Sequence, residues 1–567
     1  MNRFALAFRE QRQLFLFDPK YAFGLLFRIG GLSTLIARFI VQFFFNPALA
    51  VILTAALLLL AILLLFLAVR DKKAGWRVLP LCLIPVVFMT ASLNDVNLHY
   101  DALIAFLLAL AGLWVYSVIS RRRLFRGSVI TLLLYLSAGP AALMFALTAL
   151  ILDLDRNCKL REMVRGMVFL AIGLLCGAFA VWLAWVPTLR EAWTPAFFYD
   201  IAAKMSAAHW LSWGAVPATV LLAMLTQRGK RSVRLLGNCV LAAASLFFAG
   251  RIGDRFLDGG RKAYYEHEFH TVNGRWDALT ESCKGDLGNY LTANYFNLSL
   301  AEKGTLAEDL FKHAQNGPYS LVYLPKDHAA DLRLAHVMFA MGNMAAAQNA
   351  AFNALSTQTG YNPSMLKMTA QIDLMRGSYE VAERYLNLLG KSLHYRAWAR
   401  DQQRFLGNDA LLEQDPVLGT GRKDFPKEDG FALYGSPMDE LFRVLDANPA
   451  DEKAMQYGIS YLLLSKDMIN VCKFIDRYAD APGLRPLPTP AQEALLFFSE
   501  LQQNVGVGHE YAHMDIDWCR SHGVMPQTIQ RFRDFQNASV KSGGREPAGY
   551  RNTFWHYLLY TEIQNEK

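Results

Sequence analysis

The chain has 567 residues, 53% of them hydrophobic and 13% aromatic, and a formal net charge of +8. That length excludes one compact domain. The basic excess lies in a few short linkers between apolar runs, which excludes a nucleic-acid partner as its explanation.

Residues 1–46 carry Arg3, Arg9, Arg12, Lys20, Arg28 and Arg38 among apolar positions. Two forms fit them. Residues 21–45 form one membrane helix, or the segment is amphipathic and interfacial, broken at Gly30-Gly31 with its arginines snorkelling. Residues 1–20 are basic and interrupted, unlike a cleavable signal peptide.

Residues 47–250 read as a transmembrane bundle. Apolar spans are predicted near 47–69, 78–93, 101–119, 166–186, 209–226 and 235–250, close to the ~20 residues a bilayer demands. The run "ALAVILTAALLLLAILLLFLAV" has no polar face, which argues against a soluble helical core. Four linkers (70–77, 120–127, 156–166 and 228–234) each hold four Lys or Arg. Residues 94–100 hold none, and 187–208 hold only Arg190 and Lys204. The positive-inside rule puts the basic linkers in the cytoplasm. Segment 127–153 then begins and ends on the same side. Gly139-Pro140 interrupts it, and each half is too short to span, so a re-entrant hairpin is expected there, buried among the other helices.

Residues 251–567 read as a soluble helical domain. Gly274, Gly304, Gly342 and Gly377 each open a turn that runs into a helix with small or apolar residues. "DANPADEKAMQYGISYLLLSKD" is similar to the junction between tetratricopeptide (TPR) repeats. The expected fold is therefore all-α: a polytopic transmembrane helix bundle followed by a TPR-like repeat domain. Such repeats bind peptides or other proteins.

Several motifs bear on chemistry. His509, Glu510 and His513 formally match H-E-x-x-H, but "NVGVG" directly upstream leaves little helix to hold His509, and the match is read as incidental rather than as a metal site. The seven cysteines show no close metal-ligand or redox spacing. No P-loop, dinucleotide fingerprint or nucleophile elbow is present. The turn "TASLNDVNLHYDALIA" brings Asp95, His99 and Asp101 to the outward face, with Arg190, Glu191, Asp200 and Lys204 on a later loop there and Arg9, Glu10, Arg12 and Asp18 joining from the N-terminal segment. Carboxylates beside cations at headgroup depth suit a divalent metal with a lipid phosphate, or a general base. Solvated loop ends ordinarily carry the same residues.

The stretches "REQRQLFLF", "GGLSTLIARFIVQFFFNPALA", "LYLSAGPAALMFALTAL", "NYFNLSLAEKGTLAEDLF" and "NTFWHYLLY" resemble an uncharacterised bacterial family of multi-pass membrane proteins with a TPR-like C-terminal half. The layout more distantly resembles the GT-C superfamily of integral-membrane glycosyltransferases, which take sugars from polyprenyl-linked donors. That resemblance implies a catalytic acid on the first external loop, which falls on Glu10 of "FREQ". Asp95 and Asp101 would support it, and Arg9, Arg12, His99 and Arg190 would bind substrate. It also implies a bacterial cytoplasmic membrane, with membrane lipids and a polyprenyl-linked sugar as partners, while the basic linkers and the hairpin put the C-terminal domain outside. The rival expectation is a non-catalytic scaffold that recruits envelope proteins through its repeats.

Overall fold

A computed structural model describes residues 2–70, 75–119, 122–156, 160–200, 205–226, 231–255, 259–324, 331–356, 360–425, 437–506, 508–543 and 545–563. Lys204, Asp71, Cys158 and parts of the four basic linkers fall outside them. Every regular element among the described residues is helical, as the composition pattern predicts. The chain divides into two compact units. The first is Met1–Tyr265 with Gln358–Pro363 and Leu388–Ala397; the second is Glu266–Thr357, Ser364–Asn387 and Trp398–Lys567.

The first unit opens with α1 (Arg3–Ala7), α2 (Pro19–Leu26) and α3 (Gly31–Val41). Asp18 caps α2 with Pro19 at its first position. Residues 21–45 are thus not one continuous helix. Gly30 takes φ +69°, and a Cβ on Gly31 would lie 2.1 Å from the Leu25 carbonyl oxygen, so this tight corner between α2 and α3 admits only glycine.

The apolar helices follow: α4 (Pro47–Val69), α5 (Leu79–Ser92), α6 (Asp101–Val118), α7 (Arg123–Ala138), α8 (Ala141–Arg156), α9 (Leu160–Trp182), the short α10 (Leu189–Trp193), α11 (Ala207–Thr226) and α12 (Arg231–Asp254). Among the described residues, six stretches are long and apolar enough to cross a membrane: Pro47–Val69, Gly75–Ser92, Asp101–Val118, Leu160–Trp182, Ala207–Met224 and Leu235–Asp254. Their outer faces leave Leu59, Leu175, Phe247 and Phe248 at least 60% exposed. Such surfaces call for lipid rather than water, the mark of a membrane protein.

Helices α7 and α8 form an antiparallel pair. Along α9, Gly166 abuts Leu150 and Gly173 abuts Leu143, so α8 runs opposite to α9. Gly127 abuts Phe169 and the Tyr135 hydroxyl reaches Gly177, so α7 runs with α9. The turn is Gly139-Pro140, where Gly139 adopts φ 57° and ψ −140° beside Phe197 and Gly30. Three glycines of α9 let these helices approach closely, the small-residue contact that replaces the hydrophobic effect between apolar helices.

The bundle consequently has two distinct ends. At one, which we term the polar end, the tip of the α7–α8 hairpin, loop 93–100, loop 194–200 and Gly253 of α12 gather. At the other, the basic end, Asp153 is 1% exposed and accepts from Tyr116 (2.5 Å), Arg123 (3.0 Å) and Arg165 (3.1 Å). That cluster joins the open ends of the hairpin to α6 and α9.

Among its described residues the second unit is helical throughout its regular elements. From α13 (Gly259–Val272) through α14 (Trp276–Cys283), α15 (Tyr290–Glu302), α16 (Leu306–Asp309), α17 (Asp331–Ala340), α18 (Met344–Ser356), α19 (Pro363–Arg376) and α20 (Tyr379–Gly390), four turns use the glycines singled out above. Gly274, Gly304, Gly342 and Gly377 all have φ between 61° and 81°. Polar residues of "NYFNLSL" are buried but satisfied: Asn294 and Asn297 both donate to the Ser320 carbonyl. The C-terminal "FWHYLLY" forms helix Phe554–Tyr560, whose Trp555 donates to the Glu493 carbonyl while Glu493 Oε2 accepts the Phe554 amide.

Candidate functional site

Four of the sequence-predicted site residues, Arg9, Arg12, Asp95 and His99, lie near one another. Residues 9–12 form loose turns after α1, and the Arg9 and Arg12 side chains enter the polar end of the bundle. Arg9 is 2% exposed and donates to the Leu93 and Asp95 carbonyls, both at 2.9 Å, and to the Leu98 carbonyl. It therefore ties the backbone of loop 93–98 together, joining the Leu98 amide on the Asp95 carbonyl. Burial and the neighbouring Arg12 lower its pKa to about 10.

Arg12 donates to the Val96 carbonyl (2.7 Å) and pairs with Asp200. His99 Nε2 lies 2.9 Å from the other Asp200 oxygen. The two loops also touch through backbone: the His99 amide donates to the Phe198 carbonyl at 2.8 Å, and Leu98 and Tyr199 form an antiparallel bridge. Burial would push Asp200 up, but the His99 hydrogen bond and the Arg12 charge outweigh it and hold the carboxyl below its ordinary value.

Asp95 turns inward and is 2% exposed. Its Oδ1 accepts the Asn97 amide at 3.0 Å, while Oδ2 has no hydrogen-bond partner among the described residues. Burial raises its pKa against the opposing pull of the Asn97 amide and Arg9. The cleft framed by Arg9, Arg12, Gln13 and His99 measures about 10 Å³, the room of roughly one water.

Glu10 points elsewhere. Its Oε2 accepts from Gln11 Nε2 (2.6 Å) and from the Tyr395 hydroxyl (2.9 Å), within the same unit. Burial drives its pKa up to about 7, the two hydrogen bonds opposing. Nearby, Lys391 Nζ pairs with Asp18, and the Phe17 amide donates to the Lys391 carbonyl at 2.7 Å. The N-terminal segment is thus fastened both to residues 388–397 and to the loops of the polar end.

Asp101 opens α6 and accepts from Thr34 Oγ1 at 3.0 Å, apart from the Asp95 group. Arg190 is exposed on α10. His509–Tyr511 is a single 3-10 turn, so His509 and His513 do not share a helical face. Among the described residues, no three His, Cys, Asp or Glu side chains converge as metal ligands. Asp95, Asp101 and Glu10 accept instead from the Asn97 amide, Thr34 and Tyr395 respectively, and do not gather as a ligand set.

Two parts of this arrangement escape sequence reasoning. Tyr395 and Lys391 lie far along the chain in a segment with no membrane signal. Asp153 is an acid beside a basic linker, and only its position at a helix end, opposite Arg123 and Arg165, hints at an ion cluster.

A family model described as a family of unknown function (DUF6057) matches residues 1–561. No curated protein and no solved structure matches the chain.

Proposed function

From the premise that the chain belongs to the DUF6057 family of unknown function, we propose that it is a non-catalytic, membrane-anchored scaffold that recruits envelope proteins through a TPR-like helical domain. The observation that carries this reading is the engagement of Arg9, Glu10 and Arg12 by the protein's own groups. Arg9 holds three loop carbonyls, Arg12 holds Asp200, and Glu10 is enclosed by Gln11 and Tyr395. A donor phosphate would have to displace these partners, and the adjoining cleft has the room of one water. The polar end works as a clasp that orders loops 93–100 and 194–200.

The membrane placement follows from charge. Arg77, Arg123, Arg126 and Arg165 lie toward the basic end, so that end faces the cytoplasm of a bacterial inner membrane and the polar end faces outward. With α12 ending at the polar end beside Asn94, the chain leaves the bundle for its C-terminal domain on the outside. The left-handed glycine turns between successive helices support the repeat assignment.

One observation favours the GT-C-like alternative. Glu10, with its pKa near 7, and Asp95, with one oxygen unpartnered among the described residues, are both buried carboxyls at the outward end, and a raised carboxyl pKa is what a general base needs. The test is conservative substitution in cells. Glu10→Gln and Asp95→Asn are expected to leave both lipid-linked glycan transfer and the proteins that co-purify with the full chain unchanged. Loss of glycan transfer with stable, correctly inserted protein would transfer the case to the enzyme reading.

A further inference from the structure

We propose that α2 and the corner joining it to α3 form a lipid-binding edge at the polar end, with Phe23, Leu26 and Phe27 among acyl chains and Lys20 and Arg28 on the phosphates of anionic phospholipid. The inference goes beyond the scaffold reading and holds whichever compartment the polar end faces.

Position comes first. Helix α3 stays at the polar end instead of crossing the bundle. Before it, the Gly30 amide donates to the Leu136 carbonyl at 2.9 Å, close to the hairpin tip. In its first turn, Thr34 reaches Asp101 at the opening of α6, at 3.0 Å. Beyond its last residue, Phe44 packs on Tyr100 with ring centroids 5.0 Å apart. Leu136, Asp101 and Tyr100 all lie at the polar end. Helix α2 folds back along α3, where Arg38 donates to the Tyr21 hydroxyl at 3.1 Å. Both helices therefore sit at headgroup height, where amphipathic helices lie on a bilayer.

The faces of α2 differ. Leu25 is buried, whereas Phe23 is 59% and Phe27 84% exposed, and Leu26 is exposed beside them. The two phenyl rings stack with centroids 6.5 Å apart. This patch runs on into the apolar wall of the bundle. Leu136, which receives the Gly30 amide, is itself exposed, and Leu132 and Leu133 continue the apolar surface along α7. A patch continuous with a surface that calls for acyl chains has the same occupant.

Charge specifies the headgroup. Lys20, Phe23 and Phe27 share one helical face by their spacing. Arg28 follows at the corner, and both cations are exposed. Neither side chain has an ion pair or hydrogen bond among the described residues. Asp18, the carboxylate nearest in sequence to Lys20, is taken by Lys391. Free cations beside exposed phenyl rings supply the two attractions, charge and apolar burial, that hold a helix on an anionic membrane.

The experiment uses the full chain in a cysteine-free background, in vesicles of equal parts phosphatidylcholine and phosphatidylglycerol. A nitroxide on Phe27→Cys should collide with oxygen in preference to a water-soluble nickel chelate. One on Val540→Cys, an exposed position of the second unit, should show the opposite order. A Phe27 label as open to nickel as the Val540 label would overturn the proposal. Native mass spectrometry of the detergent-extracted protein reads the headgroup preference. The parent should retain phosphatidylglycerol over phosphatidylcholine, and Lys20→Glu combined with Arg28→Glu should cut that ratio about tenfold. A parent without preference, or a ratio unmoved by the double variant, would equally overturn it.

Discussion

The Tyr395 hydroxyl donates to Glu10 Oε2 across 2.9 Å, joining positions 385 residues apart in sequence. Gln11 donates to the same oxygen at 2.6 Å, so two donors meet one buried carboxyl. Burial outweighs both and sets its pKa near 7 against an ordinary 4.5. A carboxyl raised in this way favours the protonated form in the fold. Ionisation therefore destabilises the native state progressively as pH rises from about 4.5 to about 7, by about 3 kcal/mol at most. Glu10→Gln keeps the acceptor and removes the charge. Thermal unfolding in micelles should show the variant equal to the parent near pH 4.5 and more stable at pH 8. Identical pH profiles for the two would refute the clasp as drawn.

Asp153 makes a second prediction, at the basic end. Its carboxylate meets Arg123, Arg165 and the Tyr116 hydroxyl. Removing one partner of a buried ion cluster typically costs about 3–5 kcal/mol, because the remaining charges stay behind. Asp153→Ala should lower the melting temperature sharply. Asp153→Asn, which keeps an acceptor for Tyr116, should lower it less. Circular dichroism melts of both proteins would check that order.

The α9 glycines separate two kinds of close contact. A Cβ on Gly166 would lie 2.9 Å from the Leu150 backbone, which has little freedom to move, as well as 2.3 Å from a Leu150 methyl. A Cβ on Gly173 would meet only the end of the Leu143 side chain at 2.5 Å, which can rotate. Gly166→Ala should therefore cost about 2–3 kcal/mol and Gly173→Ala less than about 1 kcal/mol. Equal losses in unfolding experiments would contradict the helix spacing described here.

Placement in the membrane is checked by labelling. In a cysteine-free background, Arg190→Cys at the polar end should react with an impermeant maleimide on intact cells. Arg126→Cys at the basic end should react only after lysis. The reverse pattern would invert the topology.

Much of this architecture is legible in the sequence, for identifiable reasons. The apolar runs are long enough that helix and burial follow from composition, and Gly139-Pro140 marks a break that the helix geometry repeats. The glycines at 274, 304, 342 and 377 are readable because a left-handed turn is nearly reserved for that residue. The site is less legible. Arg9 and Arg12 look like phosphate ligands in sequence, yet their donors meet loop carbonyls and Asp200, and nothing local announces a partner about 190 residues away. Arg123 and Arg165 read as topology signals, which hides their second role around Asp153. Local pattern reports a residue's type and neighbours, whereas its hydrogen-bond partner is set by the tertiary path of the whole chain.

The short α7–α8 pair carries a consequence for biosynthesis. Neither helix of 16 residues reaches across a bilayer with ease, and their turn at Gly139 holds irregular backbone beside Gly30 and Phe197. Lipid offers no partner for such backbone, and the walls that shelter it include α3 and α6, made earlier, and α9, made later. The hairpin is therefore translated in the middle of the bundle but settles only after α9 has emerged. Its enclosure is thus completed out of order with its synthesis.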